Sequence, residues 1–298
     1  AKQQGRNNYQ FFRREMNARS LELLLMESDL RQALRKSEFE LHYQPQIAVD
    51  SGEVKGLEAL LRWRHAQRGE VSPAVFVALA ERFGLVGKLG DWVIESACRQ
   101  ARSWADEGLH MRVAINLSAQ HLRQPDIASR IQKALRRHGV EPARLTCEIT
   151  DTLAMENTAA TQATFAQLGA AGVHISIDDF GTGYSSLAYL RKLPASEIKI
   201  DRSFVHDLER SNDARAVVDA VIKLAHALGK RVVAEGVETV RQRRILTELG
   251  CNELQGYLFA HPMPADDLLQ WALEAKQGDA QAFRSSLYVP AGSTHRAQ

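Results

Sequence analysis

HISIDDFGTGYSS, residues 174–186, opens as an apolar, β-branched segment and stops abruptly on two adjacent carboxylates, Asp178 and Asp179. Gly181 and Gly183 then mark a loop, and Tyr184, Ser185 and Ser186 form a run suited to opening a helix. Two like charges at the end of a strand raise each other's pKa unless a positive group lies between them. A divalent cation is the usual such group, because hard cations take carboxylate oxygens. Alone, an Asp-Asp pair is more often one loop cap and one solvated charge, so the rest of the chain must decide.

The surrounding composition is that of an ordinary globular protein. The 298 residues are 45% hydrophobic and 25% charged, with a net charge of +2, enough chain for one large α/β domain or two small ones. A near-neutral balance argues against a partner that is a nucleic-acid polymer, which would call for a basic stripe. The Arg136-Arg137 pair and the basic cluster Arg241–Arg244 read as solvated helix faces. No apolar run approaches the ~20 residues of a bilayer span, and no signal peptide is visible. Cys98, Cys147 and Cys251 are far apart, which suits reduced thiols in a cytoplasmic setting better than disulfides or zinc. The histidines show no metal-ligand spacing and read as surface or structural residues.

Taken in order, residues 16–35 predict one helix. Phe39 to Val49 alternates as a strand, Asp50-Ser51-Gly52 supplies a turn, and Glu53 to Trp63 runs back, so this hairpin is antiparallel. Ser72-Pro73 starts a helix through Ala80, and a second helix covers 88–107. A regular alternation follows. Strands are expected at 112–118, 144–150, 174–178, 197–201, 231–234 and 253–259. Helices are expected near 126–138, 158–168, 185–191, 214–228, 239–249 and 265–274. Strands that alternate with helices pair in parallel through right-handed crossovers. With both arms of the hairpin the count is eight, the number that closes an α/β (β/α)8 TIM-like barrel carrying one antiparallel strand. Residues 277–298 lose all periodicity and read as a mobile tail.

Polar residues interrupt these strands in one register. Glu58, Asn116, Glu148, Asp178 with Asp179, Lys199 with Asp201, Glu235 and Gln255 all fall near carboxyl ends. In a barrel those ends converge on the face where active sites are built. Six acids and one lysine cannot all be neutralised by protein cations, so metal ions are expected to compensate them. Oxygen donors without cysteine or histidine favour Mg²⁺ or Mn²⁺ over zinc. The acids suffice for two ions, which would clamp the attacking and leaving oxygens of a phosphoryl displacement. Lys199 would stabilise charge developing on the phosphate. Metal-assisted phosphoester hydrolysis is the expected reaction class, and enolisation on an acid-rich rim is its competitor. Trp63, Trp92, Trp104 and Trp271 read as packing residues, and Cys147 as a core residue turned away from Glu148.

These motifs resemble the EAL family of cyclic di-GMP phosphodiesterases. The resemblance rests on EALLRW from Glu58, NLS from Asn116, EIT from Glu148, DDFGTGYSSL from Asp178, KID from Lys199, AEGVE from Ala234 and QGYLF from Gln255. It runs from about Phe39 to Trp271 with every motif in order. It implies a barrel with one antiparallel strand and hydrolysis of cyclic di-GMP to linear pGpG with Mg²⁺ or Mn²⁺. It also implies Glu58, Asn116, Glu148 and Asp178 as ligands of a first ion, and Asp178, Asp179, Asp201 and Glu235 around a second. By the same resemblance Glu235 is a general base, Lys199 orients the attacking water and the phosphate, and Gln44 and Arg62 contact substrate. Gln255 supports the catalytic face and the substrate site, and Glu238 anchors the loop after Asp179.

One position departs from the pattern. Active members usually carry EITE, whereas Asp151 here is one methylene shorter. In the family that glutamate holds the DFGTGYSS loop and couples it to dimer contacts, so Asp151 bears on loop anchoring rather than on metal binding. GRNNYQFF near the start resembles the closing strand of a GGDEF domain. Residues 1–35 are therefore expected to be the end of a GGDEF-like domain and a connecting helix, and 36–276 the phosphodiesterase barrel. A homodimer, a covalently linked GGDEF domain and a parent protein attached to a membrane upstream belong to the same expectation. The alternatives are a cyclic di-GMP sensor that does not cleave, and a glycerophosphodiesterase-like barrel. The complete ligand set favours catalysis.

Overall fold

Strand β1 (Phe39–Ala48) closes a sheet on itself, pairing with β2 on one side and with β9 on the other. The computed structural model describes residues 14–36, 38–156, 158–181 and 190–277. The remaining strands are β2 (Val54–His65), β3 (Gly69–Val71), β4 (Arg112–Asn116), β5 (Leu145–Thr150), β6 (His174–Phe180), β7 (Glu197–Ile200), β8 (Arg231–Ala234) and β9 (Glu253–Leu254). Their order is β1-β9-β8-β7-β6-β5-β4-β2-β3. From β2 through β4 to β9 the barrel pairings are parallel, while β1 runs antiparallel to β9. The result is the expected eight-stranded barrel with one antiparallel strand. The short β3, which alternation did not signal in so brief a stretch, pairs outside it with the end of β2.

The described residues divide into two compact units, the first within residues 1–40 and 62–89, the second within residues 41–61 and 90–298. In the first, helix Arg14–Lys36 buries Met26, Leu30 and Ala33. Phe39, Trp63 and Phe76 meet there with ring centroids 5.7–5.8 Å apart, and the Trp63 indole donates to Glu38 at 3.1 Å. Trp63 is thus a packing residue, as expected, with its one polar atom satisfied.

In the second unit the outward residues of the parallel strands are apolar, among them Val113, Ile115, Cys147, Ile149, Ile175, Ile177, Ile198 and Ile200, all buried. Helices Ile127–His138, Ala159–Ala170 and Asn212–Ala227 cover them with Ile131, Leu135, Phe165, Leu168, Val218 and Ile222. Each fully buried side chain of this size contributes roughly 1.5–3 kcal/mol. Because outward positions carry this core, the inward ones, two residues apart along each strand, are free to be polar.

Several boundaries differ from the sequence reading. The strand expected over 253–259 ends at Leu254. Gly256 lies so close to Val237 that an added Cβ would sit 2.2 Å from its carbonyl oxygen, and residues 255–259 turn around that contact through Val237 N–H to Gln255 O and Leu258 N–H to Val237 O. The strand expected over 112–118 ends at Asn116, since Ser118 caps the short helix Ala119–Leu122. The strand expected to stop at Asp178 runs on to Phe180. GRNNYQFF, the helix expected near 185–191 up to residue 189, and the tail from 278 lie outside the described residues. No described helix is long and apolar enough to cross a membrane.

Candidate functional site

Lys199 is fully buried inside the barrel, two residues along β7 from Glu197 and on the same face. Its ammonium lies 2.6 Å from Glu235, 3.0 Å from Glu148, 3.2 Å from Glu58 and 3.4 Å from Asp178. One positive charge therefore faces four carboxyl groups delivered by β2, β5, β6 and the end of β8. Burial opposes the charge on Lys199, but the surrounding acids outweigh it and hold the ammonium well above its ordinary pKa.

The acids divide by their partners. Burial would raise the Glu58 carboxyl, yet the Lys199 charge and hydrogen bonds from Gln255 (2.6 Å) and Asn116 (3.0 Å) hold it below the ordinary value. Glu148 is 0% exposed and neither of its oxygens accepts a hydrogen bond of ordinary geometry. Burial first, and then the Glu58 charge, raise its pKa well above the ordinary value. Burial likewise pushes Glu235 up to about 8, and Asp179 is raised by burial and by its neighbours Asp178 and Asp201.

Asp178 and Asp179 come together through a bulge. Ile177 pairs with Ile198 and Phe180 with Ile200, so β6 spends one residue more than β7 over that interval. Asp179 takes φ 54°, the left-handed region that aspartate tolerates better than most residues. The Asp179 amide donates to Asp178 Oδ1 at 3.0 Å. Strict alternation would send the two side chains to opposite faces. Instead one oxygen from each, with one from Glu235, lies within 4.8 Å of the others.

This donor set fits hard divalent cations. It is built of carboxylate oxygens, it carries more acid than its lysine neutralises, and Glu148 keeps two buried oxygens without hydrogen bonds. Asn116 sits beside Glu58 as the sequence places it. Asp201 shares the neighbourhood of Asp179, and its Oδ1 also caps helix Arg202–His206 through the Ser203 amide at 3.0 Å.

A cleft of about 180 Å³ opens beside these acids, bordered by Gln44, Glu58, Arg202, Glu235, Glu238 and Tyr257. Gln255 donates to both Gln44 (3.0 Å) and Glu58, which explains its place in the pattern. Arg62, in the first unit, meets Glu70 at 3.4 Å. Asp151 is buried at the first turn of helix Asp151–Ala154, while most of the loop it was expected to anchor lies outside the described residues. Sequence reasoning passed over Gln46, buried two residues from Gln44 with its amide donating to Gln255 at 3.1 Å. The alternating QPQ of β1 was the available signal.

Fold and site together define a (β/α)8-type barrel whose carboxyl-end rim carries a cluster of carboxylate oxygens with the chemistry to hold cations. Residues 27–262 match the EAL domain family, and the chain belongs to that family. It is similar to the bifunctional diguanylate cyclase/cyclic di-GMP phosphodiesterase MucR of Pseudomonas aeruginosa, at 49% identity over 270 residues, 90% of this chain and 39% of that protein. It is also similar to the cyclic di-GMP phosphodiesterase PdeR of Escherichia coli, at 40% identity over 271 residues, 91% of this chain and 41% of that protein. The chain thus spans about two fifths of the length of these relatives. Among solved structures it resembles the PaMucR phosphodiesterase in its c-di-GMP complex, with TM-score 0.79 and 48% identity over 82% of this chain and 99% of that one.

Proposed function

We propose that this chain hydrolyses cyclic di-GMP to linear pGpG with two divalent cations, Mg²⁺ or Mn²⁺. The observation that carries the reading is one fully buried lysine facing four carboxyl groups on the rim of the barrel. Glu58, Asn116, Glu148 and Asp178 would hold one ion, and Asp178, Asp179, Asp201 and Glu235 the other. Bound there, the ions supply Lewis-acid polarisation of the phosphoryl oxygens and an acidified water.

The chain's own groups do the rest. Lys199, kept protonated by its acids, directs a fixed positive charge toward the phosphate. Glu235, placed beside Asp178 and Asp179, would accept a proton from the attacking water. The water oxygen joins phosphorus, one P–O ester bond breaks, and the released ribose oxygen takes a proton from solvent water and leaves as a hydroxyl. Gln44, Gln255 and Arg62 orient the dinucleotide, Arg62 through the fork geometry that suits a phosphate. Asp151 and Glu238 anchor the loop after Asp179. In the longer protein, residues 1–35 would end a GGDEF-like domain and lead by a helix into the barrel over 36–276, which would act in the cytoplasm as a homodimer.

The test is incubation of the purified chain with cyclic di-GMP and Mn²⁺, with and without EDTA, followed by chromatography. Metal-dependent appearance of pGpG supports the reading. Tight binding with no pGpG after hours replaces it with the sensor.

A further inference from the structure

We infer that Gln46 is a positioning residue for the rim, holding the Gln255 amide from its oxygen side and through it the placement of Glu58. The inference rests on the proposed cation site but reads out on hydrogen bonding as well. Four side chains form one buried chain of hydrogen bonds. Gln44 Nε2 donates to the Ala260 carbonyl at 3.1 Å. Gln255 Nε2 donates to Gln44 Oε1 at 3.0 Å and to Glu58 Oε2 at 2.6 Å. Gln46 Nε2 donates to Gln255 Oε1 at 3.1 Å. Gln44, Gln46 and Gln255 are 7%, 2% and 4% exposed, so water does not substitute for these partners.

The direction of the chain is fixed at both ends by groups that only accept. A carbonyl at Ala260 turns the Gln44 NH₂ toward itself and its oxygen toward Gln255. A carboxylate at Glu58 calls for the Gln255 NH₂ from the other side. The Gln255 oxygen is then left facing Gln46, and only a donor there satisfies it. Without that donor the Gln255 oxygen is buried unpaired, and the amide that donates to Gln44 and Glu58 is no longer held from its far side.

Gly56 makes room for the device. It precedes Glu58 by two residues on β2, and an added Cβ would stand 2.4 Å from Gln46 Oε1 and 3.5 Å from Arg112 Nη2. The space a side chain would occupy is filled by the carboxamide of Gln46. Backbone φ at Gly56 is not in the left-handed region, so close approach is what this glycine provides.

The experiment compares wild type with Gln46→Met, of similar length without a donor, and Gln46→Glu, of similar shape but not a donor when ionised. Mn²⁺ binding by calorimetry should weaken about tenfold in Gln46→Met, the size expected for one lost hydrogen bond at a positioned ligand. The effect on cyclic di-GMP turnover should fall on kcat more than on KM. The side-chain NH₂ signal of Gln255, assigned by its loss in Gln255→Ala, should move in the metal-free variant. Gly56→Ala should reproduce the loss, and combining it with Gln46→Met should add little. Unchanged Gln255 signals together with unchanged Mn²⁺ affinity would overturn the inference. A wild type that binds Mn²⁺ but yields no pGpG would overturn only the proposed reaction.

Discussion

Lys199 Nζ lies 2.6 Å from Glu235 Oε1, while the same ammonium stands 3.0–3.4 Å from Glu58, Glu148 and Asp178. The lysine therefore has two tasks. It holds the metal-free cluster together, and in the proposed reaction it would present a positive charge to the phosphate. Replacing it by Met keeps the length and removes both. Turnover should fall by about three orders of magnitude, as for loss of a preorganised charge-stabilising donor. In EDTA the melting temperature should drop by about 10 °C, since removing one partner of a buried ion pair costs about 3–5 kcal/mol. Mn²⁺ should raise the melting temperature of Lys199→Met by more than that of wild type. Equal metal-induced shifts would argue that cations do not neutralise these acids.

Glu235 carries a pH signature of its own. Burial raises its pKa from the ordinary 4.5 to about 8, so between those values the folded protein binds a proton that the unfolded chain releases. Stability from this group is full below about pH 4.5 and is lost as pH rises toward 8. His121 acts in the opposite sense. Burial lowers its pKa below 6.5, so its contribution is full above that value and is lost as pH falls. A raw pH curve mixes these with the shifts of Glu148, Asp179, Glu253 and His174. The difference between Glu235→Gln and wild type in EDTA isolates the Glu235 contribution, and the variant should gain in relative melting temperature from pH 5 to pH 8. A difference that stays constant across that range would rule the shift out.

Much of this architecture is legible in the amino-acid sequence. The polar interruptions at Asn116, Glu148, Lys199 and Glu235 mark the carboxyl ends of their strands because outward apolar residues already commit the opposite face to the core, and Glu58 aligns with them although β2 runs on to His65. The turn at Asp50-Ser51-Gly52 fixed the antiparallel hairpin. What escaped depends on three-dimensional closeness. Residues 255–259 alternate well enough for a strand, yet the contact between Gly256 and Val237 bends them into turns. Gln46 has no charge to draw notice, and its role exists only because Gln255, 209 residues away, reaches it. The joint projection of Asp178 and Asp179 depends on a bulge whose cause lies in pairing with β7.

That bulge makes Asp179 testable apart from its charge. At φ 54° an asparagine is nearly as comfortable as an aspartate, whereas a β-branched residue is strained by roughly 1–2 kcal/mol. Asp179→Asn should keep the melting temperature close to wild type and lose most Mn²⁺-dependent turnover. Asp179→Val should lose the turnover and also melt about 2–4 °C lower. Full activity in Asp179→Asn would remove this residue from the second ion.

At the other end of the barrel, Arg112 makes the contrasting case. Its guanidinium donates to Glu253 at 2.7 and 2.8 Å and to Glu197 at 3.2 Å, and Arg231 reaches the same two carboxylates at 3.1 Å. Glu197 and Glu253 are buried, and Arg231 is more exposed than Arg112. Arg112 is therefore the principal charge compensating the barrel floor. Arg112→Met should leave two buried carboxylates with only the more exposed Arg231 and cost about 3 kcal/mol, melting roughly 6–12 °C below wild type. Glu197 shares β7 with Lys199 but lies two residues away toward the floor, so the rim should keep its arrangement in the fraction that remains folded. At a temperature well below the transition, kcat per folded molecule should stay within about twofold of wild type, since sites that share no partner behave additively. A loss of kcat as large as that of Lys199→Met, at unchanged stability, would mean that the floor takes part in the chemistry.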